Sequence, residues 1–406
     1  MNKKKCLLFS FCVSDELFDV VQKIDPTPAI QTNIFGWNIA RALSLIFGEL
    51  NLISFCPVQN YPITKKIMFG RCAHKKNGIE NNTLGFVNLV VLKHVTRLLS
   101  LFVFVVPKLV TLKIDWIFVH GLHSPYLVVA SISRLFGVRV CVILTDPPGV
   151  VYKSDGFLSR NLKKVDRCLI KIFLKPVNLF IALSPDLKKE FCGGKPCLLL
   201  PGIIDSKKYA AKPFEIRVRK ANDPFIIAYA GGLAESYGVR LLVDAVCGLD
   251  PRIKFILKIF GRGELESYVN QKARGDTRIQ YYGFVSNNEL PAYLKEAHLL
   301  VNARPSSTIL SSMSFPSKLL EYLLFFIPVL TTRIKSIPPE MAGGFNYIEE
   351  EDSDGVAKSI IKIYESPANF LIAKCLIGRQ FVVDELDLTS VAFKISKLID
   401  QLNDRK

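Results

Sequence analysis

The stretch that decides the fold is FPSKLLEYLLFFIPVLTT, residues 315–332. Its apolar residues have helical spacing from Ser317 to Phe325, and Pro328–Thr331 then reads as a buried strand. Ser314 is a candidate N-cap, and Pro316 suits a first turn. Helix starts attract anions through free amides and the dipole. Lys318 adds a full charge there, and Glu321, three residues on, shares its face. Such a face can hold a phosphate at the tip and a hydroxylated group one turn deeper. It can equally be a surface ion pair of little worth.

Working outward, short apolar runs alternate with helical stretches. Downstream of residue 223 the strands are Phe225–Tyr229, Phe255–Phe260, Ile279–Tyr282, Leu299–Val301 and Pro328–Thr331. Helices fall at Gly238–Cys247, Glu264–Gln271, Glu289–Glu296, Ser317–Phe325, Ser353–Glu365 and Leu388–Leu402. Upstream, the strands are Cys6–Val13, Asn51–Phe55, Trp116–Val119, Val138–Leu144 and Leu179–Leu183, with helices at Gly36–Phe47 and Pro125–Leu135. This alternation marks βαβ units and parallel sheets. The charged, aperiodic run from Asp205 to Asp223 is the expected linker. The expected fold class is therefore α/β, two doubly wound Rossmann-like domains facing across a cleft. The division is 1–208, 209–387, and a C-terminal helix in 388–406 returning toward the first domain. Ligands bind such sheets at the carboxyl ends of the strands.

The 406 residues are half hydrophobic, an ordinary globular composition. Net charge is +17. Residues 1–220 hold 32 Lys/Arg against 14 Asp/Glu, and residues 221–406 hold 21 against 22. The excess lies entirely in the N-terminal half and points to an anionic partner. A solvated basic face is the bland alternative. No helix-turn-helix, zinc-finger or RNP-like pattern supports a nucleic-acid-binding protein. Ten scattered cysteines without CxxC, several inside apolar runs, imply free buried thiols in a reducing compartment. The most lipid-like window is Phe86–Val106, interrupted by Lys93, His94 and Arg97. It is expected to be a core helix, with a basic amphipathic helix on a membrane surface as the sharper alternative.

Small residues end several strands. Tyr229-Ala230-Gly231-Gly232 and Phe260-Gly261-Arg262-Gly263 lack the third glycine of a dinucleotide fingerprint. Either can be a tight turn or a phosphate approach. His120 and His123 follow a strand as HGLH, too few for a metal site. Asp352-Ser353-Asp354 spells DxD, but an acidic loop opening a helix is better explained by capping.

The pieces IIAYAGGLAESYGVRLLVDAV, FILKIFGRGELES, IQYYGFVSNNELPAYLKEAHLLVNARPS and FPSKLLEYLLFFIPVLTT, in that order, resemble the donor domain of GT-B glycosyltransferases of family 4, glycosyl transferases group 1. The resemblance implies that Gly231 and Gly232 lie beside a donor diphosphate. It sets Gly283 and Phe284 against the nucleotide base, Glu321 on the ribose, and Lys318, with Ser317 and Arg262, near the diphosphate. On the N-terminal side it implies that Thr145 stands at the histidine of a histidine-aspartate pair facing the donor sugar and that Asp146 remains as its aspartate, a catalytic candidate with Lys318 and Glu321. Asn33 and Gly36 then fall in a loop, Thr32–Trp37, near acceptor and donor, with His120 and His123 on the acceptor side. Pro201-Gly202-Ile203 resembles the turn before the interdomain linker. Two departures stand out: Met313 where the first glutamate of E-x7-E is common, and Tyr237 where a basic residue is common.

The implied activity is transfer of a sugar from a nucleotide-diphosphate sugar to an anionic lipid-linked or polysaccharide acceptor. A hexosyltransferase-type enzyme is implied, retaining and without an obligatory cofactor or metal, in bacterial surface polysaccharide assembly. It would be cytoplasmic and peripheral on the inner face of the plasma membrane, and would bind no nucleic acid. The alternatives are a catalytically weak homologue, a GT-B-fold sugar-nucleotide epimerase, or a basic nucleic-acid-binding protein.

Overall fold

The computed structural model describes residues 4–149, 156–209 and 223–404, so most of the expected linker lies outside the described residues. Two compact units emerge: Met1–Ile203 with Leu388–Lys406, and Ile204–Asp387.

The N-terminal unit holds strands β1 (Lys5–Ser10), β2 (Glu49–Ser54), β3 (Met68–Phe69), β4 (Cys72–Lys76), β5 (Ile79–Thr83), β6 (Phe86–Val87), β7 (Trp116–His120), β8 (Arg139–Leu144), β9 (Leu179–Ala182) and β10 (Cys197–Leu199). Its helices are α1 (Asp15–Ile24), α2 (Ile30–Ser44), α3 (Val90–Thr111), α4 (Ser124–Ser133), α5 (Phe157–Leu174) and α6 (Pro185–Phe191). The main sheet runs β10-β9-β8-β7-β1-β2-β5-β4, parallel except for the last pair. Its central strands are continuous apolar runs because helices cover both faces.

The second unit contains β11 (Phe225–Ala230), α7 (Val239–Gly248), β12 (Phe255–Phe260), α8 (Glu266–Gly275), β13 (Ile279–Tyr281), α9 (Leu290–Leu294), β14 (Leu299–Asn302), α10 (Ile309–Met313), α11 (Lys318–Leu324), β15 (Val329–Thr331), α12 (Pro339–Ala342), β16 (Asn346–Tyr347), α13 (Ser353–Glu365) and α14 (Ala368–Leu386). Its all-parallel sheet has the order β13-β12-β11-β14-β15-β16. That is the doubly wound order 3-2-1-4-5-6, whose ligand crevice opens where the order reverses, between β11 and β14. The last helix, α15 (Leu388–Asn403), belongs to the N-terminal unit, where Arg139 donates to Asn403.

Three local expectations are corrected. Residues 32–37 are not a loop but lie inside α2. Gly36 is there for packing: a Cβ would stand 2.6 Å from Ser10 Oγ and 2.9 Å from Cys12 Cβ. The apolar window near residue 90 is not a core helix. Only one edge of α3 is buried, and that edge carries Lys93 and Arg97. Protein carbonyls and rings accept these cations, so their charge does not force them outward. Ser314 is not a helix cap. The turn begins at Pro316, whose carbonyl accepts from Leu319 N, and α11 starts at Lys318. Asp352 does cap α13, accepting from Gly355 N at 2.7 Å.

Candidate functional site

In the C-terminal unit, the carboxyl ends of β11, β12, β13 and β14 bring together most of the residues singled out above. The Tyr322 hydroxyl on α11 lies 2.8 Å from the amide of Ala230, the last residue of β11. This bond fixes α11 against the Gly231-Gly232 turn, although 92 positions separate the partners. Burial raises the Tyr322 phenol well above its usual pKa, so it keeps its proton. One turn earlier, Lys318 Nζ lies 2.7 Å from Glu321 Oε2, with both side chains about four-fifths buried. The pair is thus an ion pair at the head of α11, drier than a surface bridge.

The glycine turn is shaped by two tyrosines. Tyr229 donates to the Gly232 carbonyl at 2.7 Å, and a Cβ at Gly232 would stand 2.9 Å from the Tyr237 ring. The Gly231 and Leu233 amides bond to the Phe260 and Arg262 carbonyls. Gly238 has φ +71, and a side chain there would strike the Ala303 carbonyl at 1.8 Å. Glycine is required where β14 and the start of α7 touch backbone to backbone.

The neighbouring loops supply a cation and a ring. Arg262 lies over Phe284 with its guanidinium carbon 4.3 Å from the centroid, and Phe284 remains 40% exposed. Gly283 accepts from the Gly261 amide at 2.8 Å, joining the two loops. Tyr281 donates to the Gly261 carbonyl, its own pKa pushed up to about 12, first by burial.

Sequence reasoning missed Arg304. It sits two residues past β14, is buried, and lies 5.6 Å over the Tyr237 ring. It also donates to the Ser314 carbonyl at 3.4 Å. A cation therefore stands next to the position where Tyr237 replaces the usual basic residue. The run VNARPS, an arginine just past a buried strand, was the available signal. The position of Met313 falls on the short helix α10, which places no carboxylate there.

The N-terminal unit distributes its expected site residues unevenly. Asn33 is buried on α2, where its Oδ1 accepts from Val13 N at 2.9 Å. His120 ends β7 and bonds through Nδ1 to Ser10 Oγ at 2.8 Å. Burial lowers its pKa to about 4, so it is neutral near pH 7. These two and Gly36 are committed to packing. His123, 4.3 Å from the Phe11 ring, and Asp146, beyond β8, lie at the surface. The His123 ring is desolvated where it packs on Phe11 and Tyr126, and this, then the Arg97 charge, lowers its pKa.

Solved structures share this architecture over the whole chain. Sucrose-phosphate synthase from Thermosynechococcus elongatus superposes with a TM-score of 0.69 at 16% identity, covering 100% of both chains. Anabaena HepE in complex with UDP gives 0.64 at 14% identity, covering 98% of this chain and 100% of that one. The lipopolysaccharide outer core galactosyltransferase WaaB gives 0.62 at 14%, covering 98% and 99%. The fold is therefore GT-B. Residues 224–366 match the family described as glycosyl transferases group 1. A curated relative, the D-rhamnosyltransferase WbpZ of Pseudomonas aeruginosa, is 27% identical over 202 residues, which are 47% of this chain and 50% of the relative. The match thus spans about half the length of that relative.

Proposed function

We propose that this protein is a glycosyltransferase that moves a hexosyl group from a nucleotide-diphosphate sugar to an anionic lipid-linked or polysaccharide acceptor. The observation that carries the reading is the Tyr322–Ala230 bond, which sets the Lys318–Glu321 pair beside the glycine turn at the point where the sheet winding reverses. Arg304, Lys318 and the Gly232 amide then face the leaving diphosphate, whose charge grows in the transition state. Phe284 offers its open face to the base, with Arg262 behind it. Glu321 accepts from ribose hydroxyls. His123 and Asp146 are the surface groups left to meet the acceptor. Transfer is assigned retention of configuration, no obligatory metal and a place in bacterial surface polysaccharide assembly at the cytoplasmic face of the membrane. The rhamnosyltransferase relative and the UDP-bound neighbour support the donor class.

Lys318→Ala and Glu321→Ala test this. Each should lower transfer by roughly 100-fold or more and abolish the thermal shift given by the preferred nucleoside diphosphate, UDP or GDP. Melting without ligand should fall in each variant, because the partner left behind is a largely buried, unpaired charge, so the nucleotide-induced shift is read against each variant's own midpoint. Wild-type rates in both variants would remove the assignment. Epimerised nucleotide sugar formed without transfer would replace it with the epimerase reading.

A further inference from the structure

Helix α3 is built inside out. A helix on a water-soluble surface buries its apolar stripe and exposes its charges. Here Lys93 and Arg97 lie on the buried edge with Leu101, Val105 and Leu109. Lys93 Nζ donates to the Val58 carbonyl at 2.7 Å and to Asn60 Oδ1 at 2.9 Å. Arg97 donates to the Cys56 carbonyl at 3.1 Å and lies 4.3 Å over the Phe86 ring. The opposite face carries Leu92, Val95, Leu99, Val103 and Val110, spaced so that all five point one way. Leu99 is 58% exposed, Val103 78% and Val110 68%. The helix has 22 residues, and its richest window has a mean hydropathy of 1.7.

A second stripe lies in the same run of helices, since α4 packs against both α3 and α5. On α5, Leu162, Val165, Leu169 and Ile172 are exposed at spacings of three and four. Exposed Lys164, Arg167 and Lys171 flank this stripe, Arg167 in an ion pair with Glu190. Two aliphatic stripes with cations beside them exceed what scattered surface hydrophobes provide.

We propose that the exposed faces of α3 and α5 form a docking surface for an anionic lipid bilayer, with the aliphatic side chains entering the acyl boundary and the α5 cations meeting the headgroups. Charge selects this occupant. The first 220 residues carry a net +18 (32 − 14), which attracts anionic lipid and repels a second copy of the same face. Burial of Lys93 and Arg97 clears the outer face of α3 of charge, which favours acyl chains over water. The helix lies on the bilayer rather than crossing it, because its other edge is packed on the unit's own core. The inference rests on the two helix faces and on the charge of the N-terminal half, and stands or falls independently of the transfer reaction.

Flotation of the full chain with vesicles tests it. Vesicles of 70% phosphatidylcholine and 30% phosphatidylglycerol should carry the wild type upward, and pure phosphatidylcholine should carry much less. Leu99→Asp with Val103→Asp should reduce bound protein by roughly tenfold or more, since each charge must now enter the apolar layer. Lys164→Glu, Arg167→Glu and Lys171→Glu together should weaken binding and flatten its dependence on salt. Val103→Trp serves if the aspartates disturb folding. The native Trp37 and Trp116 are buried, so the new indole should be the one quenched by brominated acyl chains. Wild-type protein that stays unbound overturns the proposal. So does dimerisation lost in the aspartate variant with no flotation in either protein, or an indole at position 103 untouched by brominated lipid.

Discussion

At the turning point of the N-terminal sheet, between β1 and β7, Ser10 and His120 bond to each other under α2, and both are buried. At the corresponding point of the C-terminal sheet, between β11 and β14, Gly232 is exposed, with the buried Arg304 just past the strand end. The same winding is closed by a helix in one unit and left accessible in the other. Gly36 makes the closure, because only a residue without Cβ lets α2 approach β1 this closely. The topology offers a crevice in both units, and side chains decide whether it stays open.

Arg304 offers the sharpest test of this contrast. Arg304→Ala should lower transfer by about 100-fold or more if the open crevice holds a diphosphate. Adding Tyr237→Lys should recover part of the loss by returning a cation to the neighbouring position. Steady-state rates with the preferred donor read both, and unchanged rates in Arg304→Ala would erase the distinction between the two crevices.

The closed crevice has its own signature in acid. The His120 pKa is about 4 when folded and its ordinary value is 6.5. Between these values the unfolded chain binds a proton that the folded chain refuses. Stability therefore falls as the pH drops from 6.5 to 4, by about 3 kcal/mol at most. His120→Asn should flatten that slope in urea titrations run at several pH values.

Glycine substitutions separate packing from binding. Gly36→Ala should cost on the order of 1–2 kcal/mol by overpacking, read as a lower denaturant midpoint. Gly232→Ala meets only the movable Tyr237 ring, so it should change stability less and nucleotide affinity more. Equal stability losses would mean that both turning points are equally closed. The smallest expected effect is Asp352→Ala, about 1 kcal/mol of stability from the lost cap on α13, with transfer unchanged.

Much of the C-terminal unit was legible because its strands are continuous apolar runs ended by Gly-rich turns. FPSKLLEY and the glycine motifs could be ordered along the chain, and the structure joins them through Tyr322. Arg304 escaped because the run VNARPS marks only its place after a strand, whereas its packing over Tyr237 joins positions far apart in the chain. Helical spacing was read from Gly36 onward, and the loop over 32–37 came from the resemblance; the helix begins earlier, at Ile30, with Gly36 inside it as a packing position. The α3 window was misread because periodicity locates two faces of a helix, but not which one the fold turns inward when carbonyls and rings can take up the cations. Helix α14 was missed because its apolar residues circle the whole helix and leave no stripe to find.

The ends of the C-terminal unit lie side by side. Ile204 pairs with Asp387 in an isolated bridge, and the amide and hydroxyl of Ser206 both bond to the Asp387 carboxylate. The unit therefore has the anatomy of an inserted cassette, entered and left at one doorway. Such a segment can be excised as 204–387, or its two ends joined and new ones opened in a surface loop, with little penalty in chain entropy.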